Sequence, residues 1–511
     1  MDTRSLSSYG LNFRALFYMV TPNETSYEKF KDVPNFVQEA VPYCTILMVL
    51  ECLLLKLQGK DLPRINDGVN SMTHGLLSAL HVLLFRAIEL VIYVWIYHNW
   101  RFIDLPWNNP WTWILGMVCT DFLYYWFHRL SHESNIVWAS HQVHHSSEDY
   151  NFTTALRQSL MQRYYCMLMY FPMALCIPPT VFHVHQQFNL LFQFWLHTEV
   201  VTTLGPLEYI FNTPSHHRVH HGRNPYCIDK NFAGTLIIWD RIFNTFQAEG
   251  EKVEYGLVHP NNFWSPLYGQ FYYYWYIVGL VRKYKGLANK LSAVFKGPGW
   301  EPGKPWRGLY EEIPEVQPPV KKYNSNLPWW ANVYVLIHFT LVFAYFGLVA
   351  PYKKQMTFLI SLGFVAFFIY SVSVFGVLYD HRKYGYLLEF LRCVLTLVVI
   401  HIVSGHVTVD MSFATALMIL YVVSAALWVL LGALNYDIYD KNWPRIEDHG
   451  IPLDTKVPHN MKPIAQRLQS TEDILPEKPG LTLHLEISSE SVLSAICAPT
   501  AQFIANTNTR I

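Results

Sequence analysis

The sequence predicts an all-α fold, a polytopic membrane helical bundle of about nine transmembrane helices with a histidine-rich cap on its cytosolic side. Three observations lead there. The 511 residues are 51% hydrophobic with a mean hydropathy of +0.13, a balance unusual for a soluble chain of this length. Apolar runs of spanning length recur, with Tyr and Trp crowding their ends, where rings favour the headgroup level. Histidines gather in three clusters beside those runs.

Crossing a hydrocarbon core of about 30 Å takes about 20 mainly apolar residues. Runs beginning at Val41, Gly75, Trp111, Tyr164 and Phe188 meet this, and further runs follow near 328–350, 357–378, 387–405 and 412–434. The first run starts too late for a cleavable signal peptide and reads as an uncleaved anchor. Arg129, Arg157, Arg163, Arg218, Arg223, Lys230 and Arg241 adjoin the histidine clusters, and a basic connector starts at Val281. Such segments belong in the cytosol. The stretch "PYKKQ" at 351–355 and the basic N-terminal segment pull the other way, while a sequon at Asn23 suits a lumenal N-terminus. The resulting organisation is an N-terminal segment (1–40), a membrane-embedded catalytic region (41–310), C-terminal transmembrane helices (311–440) and a polar tail (441–511). The tail's composition reads as disordered.

Thirty-eight basic and 38 acidic residues balance, and without a basic stripe or module nucleic acid is not an expected partner. Cys44, Cys52, Cys119, Cys166, Cys176 and Cys393 lie in apolar surroundings, while Cys227 and Cys497 do not. The eight cysteines read as buried small hydrophobes rather than a disulfide framework.

The histidine spacing carries the chemistry. On a helix, His128 and His132 stand at i and i+4, while His141, His144 and His145 stand at i, i+3 and i+4, so each set shares a face. His217, His220 and His221 repeat the second pattern. Two candidate spans separated by "IPPT" lie between the second and third sets, and a membrane hairpin there returns the third set to the side of the first two. Imidazole suits iron, zinc, copper or nickel, and these eight exceed what one ion can use, so two metals are expected. Lone histidines in apolar runs, His81, His183, His338 and His401, are expected to be satisfied core residues.

Other metal chemistries fit less well. "HESNI" lacks the second histidine of a zinc-protease helix, since Ile136 stands in its place. Paired Glu-x-x-His motifs of soluble di-iron bundles are not found. Metal transporters favour ionisable ligands within the spans, whereas these sets sit at helix ends and in loops. A histidine-only di-iron oxygenase remains.

The order HxxxH, HxxHH, HxxHH with a hydrophobic hairpin before the last box resembles the fatty acid hydroxylase superfamily of membrane enzymes, which includes sterol desaturases and lipid hydroxylases. Four strings make the likeness closer to one of its branches, the alkylglycerol (glyceryl-ether) monooxygenase family. They are "DFLYYWFHRLSHESNIVWASHQVHHSSEDYNFTTALRQS", "QFNLLFQFWLHTEV", "GPLEYIFNTPSHHRVHHGRNPYCIDKNFAGTLIIWDRIF" and "FKGPGWEPGKP". This resemblance covers about residues 10–310, with a looser match beyond.

The resemblance implies a tetrahydrobiopterin-dependent di-iron monooxygenase of the endoplasmic reticulum membrane, with its boxes facing the cytosol. Its substrate would be an alkylglycerol or a lyso ether phospholipid, with O2 as oxidant and a separate pterin as reductant. Sterol or sphingolipid hydroxylation or desaturation is the alternative within the superfamily. The implied iron ligands are His128, His132, His141, His144, His145, His217, His220 and His221, with His197 as a ninth candidate against a buried polar contact. Glu133 could orient an imidazole or relay a proton, against an ordinary exposed carboxylate. Glu148, Asp149, Asp229 and Asp240 read as solvated loop charges. No pterin pocket can be located from the sequence.

Overall fold

The first long helix, α1 (Phe36–Leu57), starts where the Asn35 side chain accepts a hydrogen bond from the Gln38 backbone N–H at 3.1 Å, satisfying a donor that a helix start leaves open. The computed structural model describes residues 10–84, 88–316, 320–404 and 411–434, with 436, 438 and 439. The tail expected from residue 441 lies outside the described residues. Among these the fold is helical, with only isolated bridges pairing Phe211 with Leu236 and Gly222 with Tyr255.

After α1 come α2 (Ile65–Ala79), α3 (Ile88–Trp100) and α4 (Pro110–Glu133). Asn109 caps α4 by accepting from Trp111 N at 2.8 Å, and Pro110 opens its first turn, where a missing N–H costs nothing. The cap helices are α5 (Asn135–His145), α6 (Gln162–Tyr170), α7 (Pro179–Leu196) and α8 (Pro214–His221). Two connecting helices, α9 (Pro266–Lys283) and α10 (Leu287–Phe295), lead to α11 (Trp329–Val349), α12 (Phe358–Tyr379), α13 (Gly385–Ser404) and α14 (Met411–Ala433).

Five helical stretches are long and apolar enough to cross a membrane: Phe30–Leu57, Trp329–Lys354, Phe358–Tyr379, Gly385–Ser404 and Met411–Ala433. A sixth arises if Ile65–Leu84 and Ile88–Trp100, bent by 57°, form one broken span. The nine expected spans are thus reduced by those from Trp111, Tyr164 and Phe188. α4 carries Asp121, His128, Arg129, His132 and Glu133. α6 has nine residues, which reach only about 14 Å. α7 is broken chemically by His183, His185, Gln186, Gln187 and Asn189. Neither helix of the expected membrane hairpin is among the candidate spans, yet α7 still ends immediately before His197.

One core joins α2 to the C-terminal helices, with Leu76, Leu77 and Leu80 buried in the same cluster as Val335, Phe368, Phe375 and Tyr421. A second packs Tyr93 of α3 on Phe182 of α7, rings parallel at 4.2 Å, beside Tyr170 and Met173. Of the lone histidines, His81 is buried and its Nδ1 meets the Ser78 carbonyl at 2.6 Å. His338 is buried between Ser424 and Arg392, and His183 is half-buried against the Phe30 ring. His401 departs from expectation: it lies exposed on α13, because its turn of that apolar helix faces outward. Cys227 also departs, being buried with Val219, Val253 and Tyr255.

Candidate metal centre

The three histidine boxes and His197 converge. Nine imidazoles form two groups, His128, His132, His141, His145 and His220 in one and His144, His197, His217 and His221 in the other. Every ring is buried, and the facing nitrogens within each group lie within 4.8 Å of one another. The two groups adjoin, the His145 and His221 rings stacking at 4.4 Å.

Helical periodicity explains the split. In α5, His141 and His145 (i, i+4) serve the first group, and His144, turned about 100° from His145, serves the second. In α8 the assignment is reversed: His217 and His221 serve the second group and His220 the first. Each expected shared face therefore divides between two centres, and each His-His dyad bridges them.

Outer hydrogen bonds aim the rings. The Nδ1 of His128 meets Phe232 O at 2.8 Å, that of His144 meets Arg157 O at 3.1 Å, that of His197 meets Gln193 O at 2.8 Å and that of His220 meets Lys230 O at 2.9 Å. His141 Nδ1 meets Gln162 Oε1 at 3.1 Å. A carbonyl oxygen only accepts, so these Nδ1 atoms carry the hydrogen and the Nε2 lone pairs point inward.

Burial holds eight of the nine rings neutral. It pushes His128, His141, His145, His197, His217, His220 and His221 well below the ordinary imidazole value, and His144 to about 4, with neighbouring imidazoles adding to the shift in most. Lone pairs facing one another are then unfavourable without a cation. Nε2–Nε2 separations of 2.9 Å (His128–His141), 3.1 Å (His145–His220) and 3.2 Å (His144–His197) fall near the spacing of about 3.0–3.4 Å between neighbouring ligands that each stand about 2.1 Å from one ion, at right-angled to tetrahedral arrangement. His132 Nε2 is buried without a hydrogen-bond partner. The donor set fits two divalent transition-metal ions.

The scaffold around the rings comes from distant parts of the chain. Asp121, in α4 two turns before His128, accepts hydrogen bonds from Thr235 N, Leu236 N, Trp239 Nε1 and Asn189 Nδ2 at 2.7–2.9 Å. Asp240 accepts from Phe232 N and Ala233 N, both at 2.8 Å, fixing the residue whose carbonyl holds His128. Arg157, whose carbonyl holds His144, is anchored by Asp67 at 2.9 Å and Ser71 at 2.9 Å, both in α2. Arg218 of α8 pairs with Glu249 at 2.6 Å and donates to the carbonyls of Thr198, Val201 and Thr202, the turn that follows His197. Gly222 ends α8 where a Cβ would meet Cys227 Sγ at 2.5 Å, a close approach only glycine allows.

The carboxylates correct the solvated-loop expectation. Glu148, Asp149 and Asp240 are buried. Glu148 accepts from Tyr323 N at 2.7 Å, and Asp149 pairs with Arg64 at 3.1 Å and Lys322 at 2.8 Å. The partners of Glu148 and Asp149 lie far off in sequence, so a polar loop string conceals buried hydrogen bonds and ion pairs. Asp229 is partly exposed and stands 3.6 Å from His132 Nδ1. Glu133 pairs with Arg129 at 3.1 Å and with Arg307 at 3.6 Å, and Arg307 also reaches Asp229 at 3.6 Å. Among the described residues no hydrogen bond links Glu133 directly to an imidazole.

Sequence reasoning missed Asp121, Gln162 and the aromatic wall formed by Trp138 against His132 (5.1 Å) and Tyr150 against His221 (5.3 Å). Asp121 left a signal, a lone carboxylate seven residues before His128 in an otherwise apolar run. Gln162 left none, being a single polar residue at the start of α6 with no spacing relation to the boxes. A cavity of about 460 Å³ lined by Tyr97, Asp104, Trp107 and Thr180 lies at the start of α7, whereas His197 follows its end, so it does not adjoin the imidazoles.

Residues 113–245, which contain all nine imidazoles, match the fatty acid hydroxylase family model, and residues 331–419 match the alkylglycerol monooxygenase C-terminal domain. Alkylglycerol monooxygenase of Xenopus tropicalis is 49% identical over 391 residues, spanning 76% of this chain and 87% of the relative. That of Homo sapiens is 47% identical over 423 residues, spanning 82% and 95%. That of Caenorhabditis elegans is 39% identical over 408 residues, spanning 75% and 80%. No solved structure matches the chain.

Proposed function

Because the chain belongs to the alkylglycerol monooxygenase family and is an oxidoreductase, we propose that it cleaves the O-alkyl bond of 1-O-alkylglycerols in the endoplasmic reticulum membrane, using two irons, O2 and tetrahydrobiopterin. The observation that carries this reading is the pairing of five and four buried imidazoles in adjoining groups. His128, His132, His141, His145 and His220 would hold one iron, and His144, His197, His217 and His221 the other. Bound there, the iron pair supplies the activation of O2 that a C–H bond requires, with electrons from the pterin.

Hydroxylation falls on the alkyl carbon beside the ether oxygen, where the lone pair weakens the C–H bond. One oxygen atom enters that bond and the other leaves as water, taking two electrons and two protons. The resulting hemiacetal collapses to a fatty aldehyde and a glycerol, so an ether is opened without hydrolysis.

The chain's own groups prepare the site. Carbonyl acceptors at Phe232, Arg157, Gln193 and Lys230 fix four ring orientations, which sets ligand directions before metal arrives. Trp138, Phe232 and Tyr150 wall the imidazoles with apolar surface, excluding water from reactive oxygen. Glu133 acts on His132 at one remove, through Arg307 and Asp229, as a positioning residue. Basic residues beside the boxes, among them Arg218 and Arg223, support a cytosolic face.

The test is direct. Membranes containing the protein, given a 1-O-alkylglycerol, O2 and tetrahydrobiopterin, should release the fatty aldehyde matching the alkyl chain, detected by chromatography. An acyl ester should give none, because its corresponding carbon bears no hydrogen. Aldehyde formation that ignores the pterin, or turnover of sterols with the ether untouched, overturns the assignment.

A further inference from the structure

The basic connector after α9 contributes no imidazole to the metal centre. Its helix α10 exposes Leu287 (72%), Leu291 (48%) and Phe295 (54%), one residue per turn along a single stripe. The opposite side buries Ala293 in a small cluster with Leu280, Tyr284 and Trp300. Nine residues reach only about 14 Å, too short to cross a bilayer. Gly286, at φ +81°, makes the turn that separates α10 from α9.

Charge frames the stripe. Arg282, Lys283, Lys285, Lys290 and Lys296 fall between residues 281 and 296, and no acidic residue does. None of the five forms an ion pair among the described residues, and Arg282, Lys283 and Lys285 are exposed. Trp306, 51% exposed, follows with its indole N–H on the Glu133 carbonyl at 2.7 Å. An apolar stripe with unneutralised cations and an edge tryptophan has the chemistry of a helix lying in a membrane surface, and the chain's candidate spans keep a bilayer within reach.

We propose that α10 is an interfacial helix, with Leu287, Leu291 and Phe295 seated among acyl chains and its lysines meeting anionic lipid headgroups. The seat is mechanically joined to the metal centre. Asn135, the first residue of α5, donates from its backbone N to Lys296 O at 2.7 Å and from Nδ2 to Ala293 O at 2.8 Å. It also accepts from the Tyr273 hydroxyl at 2.9 Å. The lipid surface thus bears on the joint between the first two box helices.

The full-length protein in nanodiscs of phosphatidylcholine and phosphatidylserine tests this. With p-benzoylphenylalanine in place of Leu291, irradiation should add the mass of a phospholipid, several-fold more than with the same group in place of Lys285. Equal yields at the two positions, or cross-links at 291 to a second copy or another protein, overturn the seat. Lys283→Glu, Lys285→Glu and Lys290→Glu together should erase a several-fold preference for phosphatidylserine in the 291 adduct while iron content stays unchanged. A preference that survives overturns the headgroup contact, and should that variant not fold, the 291 adduct still decides the seat.

Discussion

His144 and His145 are neighbours in the chain, yet their imidazoles belong to different groups, His145 facing His220 at 3.1 Å and His144 facing His197 at 3.2 Å. Replacing either with Ala should abolish aldehyde formation and lower the iron content by one ion's worth, from opposite halves of the centre. Metal analysis of the two purified variants, with circular dichroism to check helicity, measures this. A variant that keeps full iron and turnover removes that residue from the ligand set.

Asp121 ties the segment after the third box to the helix of the first through three donors, Thr235 N, Leu236 N and Trp239 Nε1, and accepts a fourth bond from Asn189 of α7. Asp121→Ala leaves those donors buried and unpaired, a loss of about 3 kcal/mol or more. The melting temperature in detergent should drop and iron retention with it, because the Phe232 carbonyl that orients His128 is released. An unchanged melting temperature contradicts the bracing role.

How much of this was legible in the sequence follows from range. The boxes were readable because their spacing is a local property of one helix, whereas His197 entered only as a candidate implied by the family resemblance, since a lone histidine in an apolar run reads locally as a core residue. The division of each HxxHH between two groups was not, since it depends on how α5 and α8 face each other. Asp149 pairing with Arg64 and Lys322 joins positions far apart in the chain, and no local pattern encodes that. The number of spans was overcounted because aromatic-rich helices such as α4 and α7 look apolar by composition while burying Asp121, His185 and Asn189 in the protein's own interior.

Acidity should release the centre. Burial holds the His144 imidazole at about 4, while in the unfolded chain it titrates near about 6.5. Between these values the unfolded chain binds a proton the folded one refuses, so stability is complete above about 6.5 and falls as pH drops through the window. The metal-free protein should melt progressively lower from pH 6.5 towards 4, and the iron-loaded protein should lose iron over the same range. A melting temperature that holds constant across this window contradicts neutral, buried rings.

Sidedness can be read by labelling. Lys252→Cys and Lys285→Cys, both at exposed positions, should react with an impermeant thiol reagent from the cytosolic side above the background of the native thiols. Labelling of Lys252→Cys from the lumen inverts the proposed orientation.

The central claim is that the imidazoles hold two irons side by side. Mössbauer spectroscopy of protein grown on iron-57 addresses it without reference to substrate. The account predicts two iron environments of equal area, in nitrogen-rich ligation, with both signals lost progressively as ligands from the two groups are removed. A single iron environment, or a protein saturated with zinc and devoid of iron signal while active, would contradict it.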